Sequence, residues 1–253
     1  MFRKSKASLS NVSAGKLPLA RAGAMLGLAL ALFGYHPSAA SERHLVANGG
    51  GPVFQILPSE AVFRDQVPEA MRGDLPPDPT PFGNRVALIS GTIEIEATDR
   101  GDDPLAEPPY TGDEGKVRAE FITADGARWQ VIQTAVAARL DDGSLRLFAG
   151  AGMDRVVHGE TGRENPLMPK MRAALTMWGR ADIFKDGEQI KEDALLHIMV
   201  TSRARDPEDG HYLGYDVTDQ PIEEIHLFLN PSNRLPAPGG FLHINWERSI
   251  VER

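Results

Sequence analysis

The chain of 253 residues contains no cysteine. That excludes disulfides, thiolate metal centres, a cysteine nucleophile and a lipid-modified cysteine behind an export signal. Also missing are a Gly-x-Ser-x-Gly elbow, a phosphate-binding glycine loop, a dinucleotide fingerprint and a His-Glu-x-x-His pair. The short motifs that announce hydrolases, nucleotide-binding enzymes and zinc proteases are therefore absent. No self-similarity with a period of 20 to 50 residues points to a repeat architecture. No apolar run reaches the ~20 residues a spanning helix needs.

The N-terminal residues have the layout of an export signal. Arg3, Lys4, Lys6, Lys16 and Arg21 precede the uncharged run AGAMLGLALALFGY (Ala22 to Tyr35), and HPSAA follows with Ser38 and Ala40 in a small-residue cleavage pattern. Residues 1–40 are therefore expected to be a cleaved secretory signal. No twin arginine precedes the apolar run, so export unfolded into a bacterial periplasm or out of the cell is expected. Cleavage would remove five basic residues and no acid, taking 27 Lys+Arg against 35 Asp+Glu to 22 against 35, a net of −13. An acidic chain without basic clusters argues against nucleic acid and against an anionic membrane as partners, and leaves small molecules and cations.

Residues 41–84 read as an irregular, Pro/Gly-rich arm. VANGGGPVFQ is glycine-rich, SEAVFRDQVPEAMRG suits one or two helical turns, and DLPPDPTPFGN packs four prolines between Pro76 and Pro81. From Arg85 to the end the chain reads as one all-β domain, a mostly antiparallel sandwich or barrel of about ten strands. VALISGTIEIEA and KVRAEFIT alternate apolar and polar positions, and Asp125-Gly126, Asp142-Gly143 and Asp186-Gly187 are hairpin turns between such runs. Further strands are expected at Arg172 to Trp178, Glu192 to Arg203, His211 to Asp216, Ile222 to Asn230 and Phe241 to Trp246.

Three of these strands carry a histidine near the middle: EDALLHIMVTSR, IEEIHLFLN and GFLHINWE. In each, one period-two face is wholly apolar, as with Leu196, Ile198 and Val200. The other collects His197 and Met199, then Glu224, His226, Phe228 and Asn230, then Phe241, His243, Asn245 and Glu247. Imidazole, carboxylate, amide and aromatic groups together suit a binding pocket better than bulk water. The expected ligand contacts are Met199, Glu224, Phe228, Phe241, Asn245 and Glu247. If the strands are neighbours, His197, His226 and His243 supply a first shell for zinc or copper. Histidine also fits half-polar strand faces without any role.

Two weaker signals sit elsewhere. Met168, Met171 and Met177, with Met153 and His158 upstream, are soft donors or gap-filling core residues. The acidic stretches DRGDDP, TGDEG and DPEDG suit calcium or ordinary solvated turns. The function expected from these residues is an exported, non-catalytic module for a small ligand or metal. The alternatives are a hydrolase using a His/carboxylate pair on the same face, and a purely structural surface protein.

Overall fold

The computed structural model describes residues 42–73, 75–100, 112–137 and 150–253. The expected export signal lies outside them, as do Asp142-Gly143 and most of the DRGDDP stretch.

Nine strands follow in chain order: β1 (Arg43–Ile56), β2 (Val86–Asp99), β3 (Glu114–Ile122), β4 (Arg128–Val136), β5 (Ala151–Val157), β6 (Met171–Lys185), β7 (Glu188–Ser202), β8 (Ile222–Leu229) and β9 (Leu242–Glu252). Every ladder between them is antiparallel. Eight strands close in the order β1-β2-β3-β4-β6-β7-β8-β9, with β9 pairing back to β1, so the fold is a barrel. The ninth, β5, shares an edge of β6 with β4. Gly179 to Lys185 pair with β4, and Met171 to Met177 pair with β5. Closure removes the free edges that an open sheet leaves exposed.

Eight strands enclose a space just wide enough for side chains to fill, and here it is filled. Trp129 and Trp246 are fully buried there, and Phe121 meets Trp246 edge-on at 6.3 Å. The packing is tight enough to dictate a glycine. A Cβ at Gly49 would lie 2.5 Å from Ile93 Cγ2 and 2.8 Å from Trp246 Cγ, so β1 can cross the tryptophan only there.

The expected hairpins at Asp125-Gly126 and Asp186-Gly187 join β3 to β4 and β6 to β7. The latter has both residues at positive φ, 53° and 87°, as a two-residue hairpin turn requires. Three expectations need correction. The arm read over 41–84 is irregular only beyond Ile56, because Arg43–Ile56 is a barrel strand whose glycines and a register shift between Gly50 and Val53 hide its period. Arg172–Trp178 and RADIFK belong to one 15-residue strand, β6. His211 to Asp216 forms no strand; it contributes single bridges from Tyr212 to Arg205 and from Asp216 to Lys170.

A second core lies outside the barrel wall. Residues 57–85, 158–170 and 203–221 fold over the outer face of β6 to β9 and bury Phe82, Met168, Met171, Trp178, Met199 and Val217 against one another. Arg205 pins two of these segments together. Its guanidinium donates to the Gly210 and Gly83 carbonyls at 2.7 and 3.2 Å and stacks on Tyr212 at 3.7 Å. Among the described residues no helix is long and apolar enough to cross a membrane.

Candidate functional site

The strand registers place the expected face in two lateral rows on the outside of the barrel. Trp178, His197, Phe228, His243 and Ile56 stand opposite one another across β6, β7, β8, β9 and β1. Thr176, Met199, His226, Asn245 and Phe54 form the next row. The three histidine strands are thus neighbours, and the histidines share the face opposite the barrel interior. The face is not open, however. His197, His226 and His243 are all buried under the covering segments, which also bring in His158 and Glu164.

These buried groups divide into two clusters. The first is an electrostatic chain. His243 Nδ1–H donates to the Pro81 carbonyl at 2.8 Å, which assigns its other nitrogen as an acceptor, and His226 Nδ1–H donates to it at 3.3 Å. His226 Nε2 lies 2.8 Å from Glu224 Oε1, off the ring N–H axis. With protons called for on both nitrogens, His226 is an imidazolium facing a carboxylate. Glu224 also accepts the backbone N–H groups of Ala204 (2.6 Å) and Arg205 (3.0 Å) and the Asn245 amide (2.8 Å). Burial alone would raise its pKa, but the His226 charge and these donors hold it below the ordinary carboxylate value. Glu247 behaves in the opposite way. Burial, with the Glu224 charge beside it, pushes its pKa up to about 10, so it is a neutral acid.

The second cluster lines a chamber of ≈ 70 Å³ bounded by Phe82, His158, Glu164, Met168, Trp178, His197, Met199 and His243, with Asn165, Phe228 and Asn230 at its side. His197 stacks on Trp178 with ring centroids 4.2 Å apart and donates from Nδ1 to the Met177 carbonyl at 3.1 Å. Its Nε2 therefore carries a lone pair, and that buried atom has no hydrogen-bond partner. Glu164 accepts the Trp178 indole N–H at 3.0 Å, and its Oε2 stands 3.9 Å from His197 Nε2. His158 donates from Nδ1 to the Asn165 carbonyl at 2.9 Å, which leaves its Nε2 lone pair 3.1 Å from Met199 Sδ. Burial holds His158 neutral, its pKa lowered to about 3, and pushes His197 and His243 well below the ordinary value.

The chamber adjoins a wider cleft of ≈ 340 Å³ that shares Phe82, Asn165, Phe228 and Asn230 with it. Prolines 76, 79, 81 and 231 and Phe241 supply the rest of an apolar wall. Of the residues expected from the sequence, His197, His243, Met199 and Phe228 line the chamber and Phe241 the cleft. Glu224, His226, Asn245 and Glu247 lie in the electrostatic chain instead. The imidazoles of His197, His226 and His243 do not close on one point: their nitrogens address Met177, Glu224, Pro81 and each other. Among the described residues no group of three or more His, Asp or Glu side chains is placed to hold a metal ion. Glu164, Trp178, Phe82 and Asn165 escaped the sequence reading, since the only sequence signal near Glu164 is a polar loop. Met153 and Met177 fill the barrel interior, and Met168 lines the chamber. DPEDG is a turn closed by its own carboxylates, which accept the N–H groups of Glu208 and His211.

Burial reverses one expectation about stability. Side chains off the barrel's core face would ordinarily be removable, yet His243→Ala takes a donor from the Pro81 carbonyl and opens a hole between two packed layers. An orphaned acceptor plus a cavity sets the expected loss at about 2–4 kcal/mol. Urea melts against Arg118→Ala, on an exposed strand position, check it; equal midpoints for the two variants would refute the packing role.

Fold and site together define a closed antiparallel β-barrel with a small, semi-enclosed polar chamber on its outer wall. No protein-family model, no curated protein and no solved structure matches this chain.

Proposed function

We propose that the protein is an exported, non-catalytic binding module for a small ligand with an apolar body and one hydrogen-bond donor. The observation that carries this is His197 Nε2, a buried acceptor without a partner, facing a chamber that continues into an apolar cleft. A lone pair left unmatched in a dry site is costly. A hydroxyl or N–H of a ligand would satisfy it while the ligand's apolar part rests on Phe82, Phe228 and the prolines. The site is acceptor-rich, and a chain of net charge −8 suits neither nucleic acid nor an anionic membrane as its partner. The periplasm or the cell exterior is the location that the N-terminal pattern supports.

One observation favours a second reading. Glu164 and His197 face the same space 3.9 Å apart, a spacing that a bound water could bridge for base catalysis in a hydrolase.

Phenol is a suitable probe, because its hydroxyl can donate to His197 Nε2 and its ring matches the cleft. Titration of the protein with phenol should shift the Trp178 indole N–H and Met199 methyl signals in NMR spectra. Phe228→Trp, which narrows the passage between cleft and chamber, should abolish those shifts. Unmoved Trp178 and Met199 signals at millimolar phenol would count against a ligand pocket.

A further inference from the structure

The chamber's donor set is unusual for a pocket that merely holds water, and the inference below rests on the pocket reading above. We propose that the inner chamber is a copper(I) site, ligated by His158 Nε2, Met199 Sδ and His197 Nε2, with the Met168 thioether as an adjoining soft donor.

Four observations converge. His158 Nε2 and Met199 Sδ face each other at 3.1 Å, and because Nδ1 gives its proton to Asn165, neither atom has a hydrogen to offer the other. Two lone pairs pressed together in a buried site call for a cation against both. Metal–imidazole and metal–sulfur bonds of ~2.0 and ~2.3 Å set their donor atoms about 3.0–3.5 Å apart at angles between a right angle and the tetrahedral value. Second, His197 Nε2 is another buried imine without a partner on the same chamber.

Third, the His158 backbone sits at φ 62°, ψ −168°, a region that side chains other than glycine's hardly enter. The strain is held by hydrogen bonds on either side, His158 N–H to the Arg163 carbonyl and Gly159 N–H to the Met168 carbonyl. Those bonds set the ring at the chamber and place Met168 beside it. Strain of this kind marks ligand clamps more often than plain packing. Fourth, the donors are soft. Thioethers and neutral imidazoles select Cu(I) over calcium or magnesium, and without a thiolate or a histidine trio they disfavour zinc. The Glu164 carboxylate, 3.9 Å from His197 Nε2, supplies negative charge beside a buried monovalent cation.

The test is anaerobic titration of the full chain with Cu(I) against a chromogenic Cu(I) chelator, with X-ray absorption of the loaded protein. One equivalent should be retained with mixed nitrogen and sulfur scattering. Met199→Leu and His158→Gln should each weaken retention ~100-fold, whereas Met177→Leu, in the barrel interior, should not. A nitrogen/oxygen-only shell, zinc(II) retained as tightly as Cu(I), or Met199→Leu behaving like Met177→Leu would overturn the assignment. If the chamber takes phenol but no Cu(I), the copper site alone falls. If it takes Cu(I) but no phenol, the organic-ligand reading falls and the metal site stands.

Discussion

The chain carrying Leu227→Asp is expected not to fold. Leu227 is fully buried in the barrel interior, paired with Ile198 on β7 and Ile244 on β9, in a core already filled by Trp129 and Trp246. An isolated carboxylate there has no partner and no water, and either its charge or its forced protonation costs several kcal/mol. Lost packing adds to this, and a domain with a total stability of about 5–15 kcal/mol has little left. The neighbouring Phe228→Asp is the internal control. Phe228 points the opposite way into the cleft and is only partly buried, so the same carboxylate can reach water. That variant should fold and lose phenol binding. Circular dichroism melts of the two proteins decide the matter: a cooperative melt near the parent's for Leu227→Asp would place the barrel interior on the wrong face of β8.

That contrast between adjacent residues was legible in the sequence, because alternation along a strand fixes which side chains share a face. The hairpins at Asp125-Gly126 and Asp186-Gly187 were legible for a similar local reason. What alternation cannot supply is the identity of whatever covers a face. The histidines of β7, β8 and β9 were placed together correctly, but they are buried by segments as distant in sequence as Pro81 and His158. The choice between sandwich and barrel likewise rests on the β1–β9 and β4–β6 ladders, contacts between residues far apart along the chain. β1 was hidden because Gly49, Gly50 and Gly51 carry no side chains to show a period. β5 has seven residues and a positive φ at Asp154. Glu164 and Trp178 met only through the fold, so no spacing rule could have joined them to His197.

The second large effect is expected from the electrostatic chain, and its size should depend on a residue that appears inert. Glu224→Gln keeps the shape of the side chain, and an amide flip of Asn245, whose Oδ1 is buried without a partner, can restore that hydrogen bond. The charge is not replaced. Breaking a buried pair by removing one partner typically costs about 3–5 kcal/mol, here because the His226 imidazolium and the Arg205 guanidinium lose their shared carboxylate. Glu247 can soften that loss. It is neutral because burial and the Glu224 charge both oppose its ionisation, while Arg205 and Arg203 favour it. Once Glu224 is neutralised, one of the two opposing effects is gone, and Glu247 can ionise toward Arg205, whose Nε has no partner. Glu247→Gln alone exchanges one neutral group for another and should change stability by less than about 1 kcal/mol. In the double variant no carboxylate is left to answer the buried cations, and the loss should exceed the sum of the singles by about 1–3 kcal/mol, the range for residues sharing one network. At about 2–4 °C per kcal/mol for a domain of this size, melting temperatures resolve that difference. Protonation gives the sign check. The folded-state pKa of Glu224 is lowered, so its contribution is present above the ordinary value of 4.5 and lost as pH falls through the lowered one. The gap between parent and Glu224→Gln should therefore be widest at neutral pH and narrow in acid. Additive losses in the double-mutant cycle, or a gap that does not change between neutral and acid pH, would mean that Glu224 acts through shape alone and that Glu247 is not its reserve.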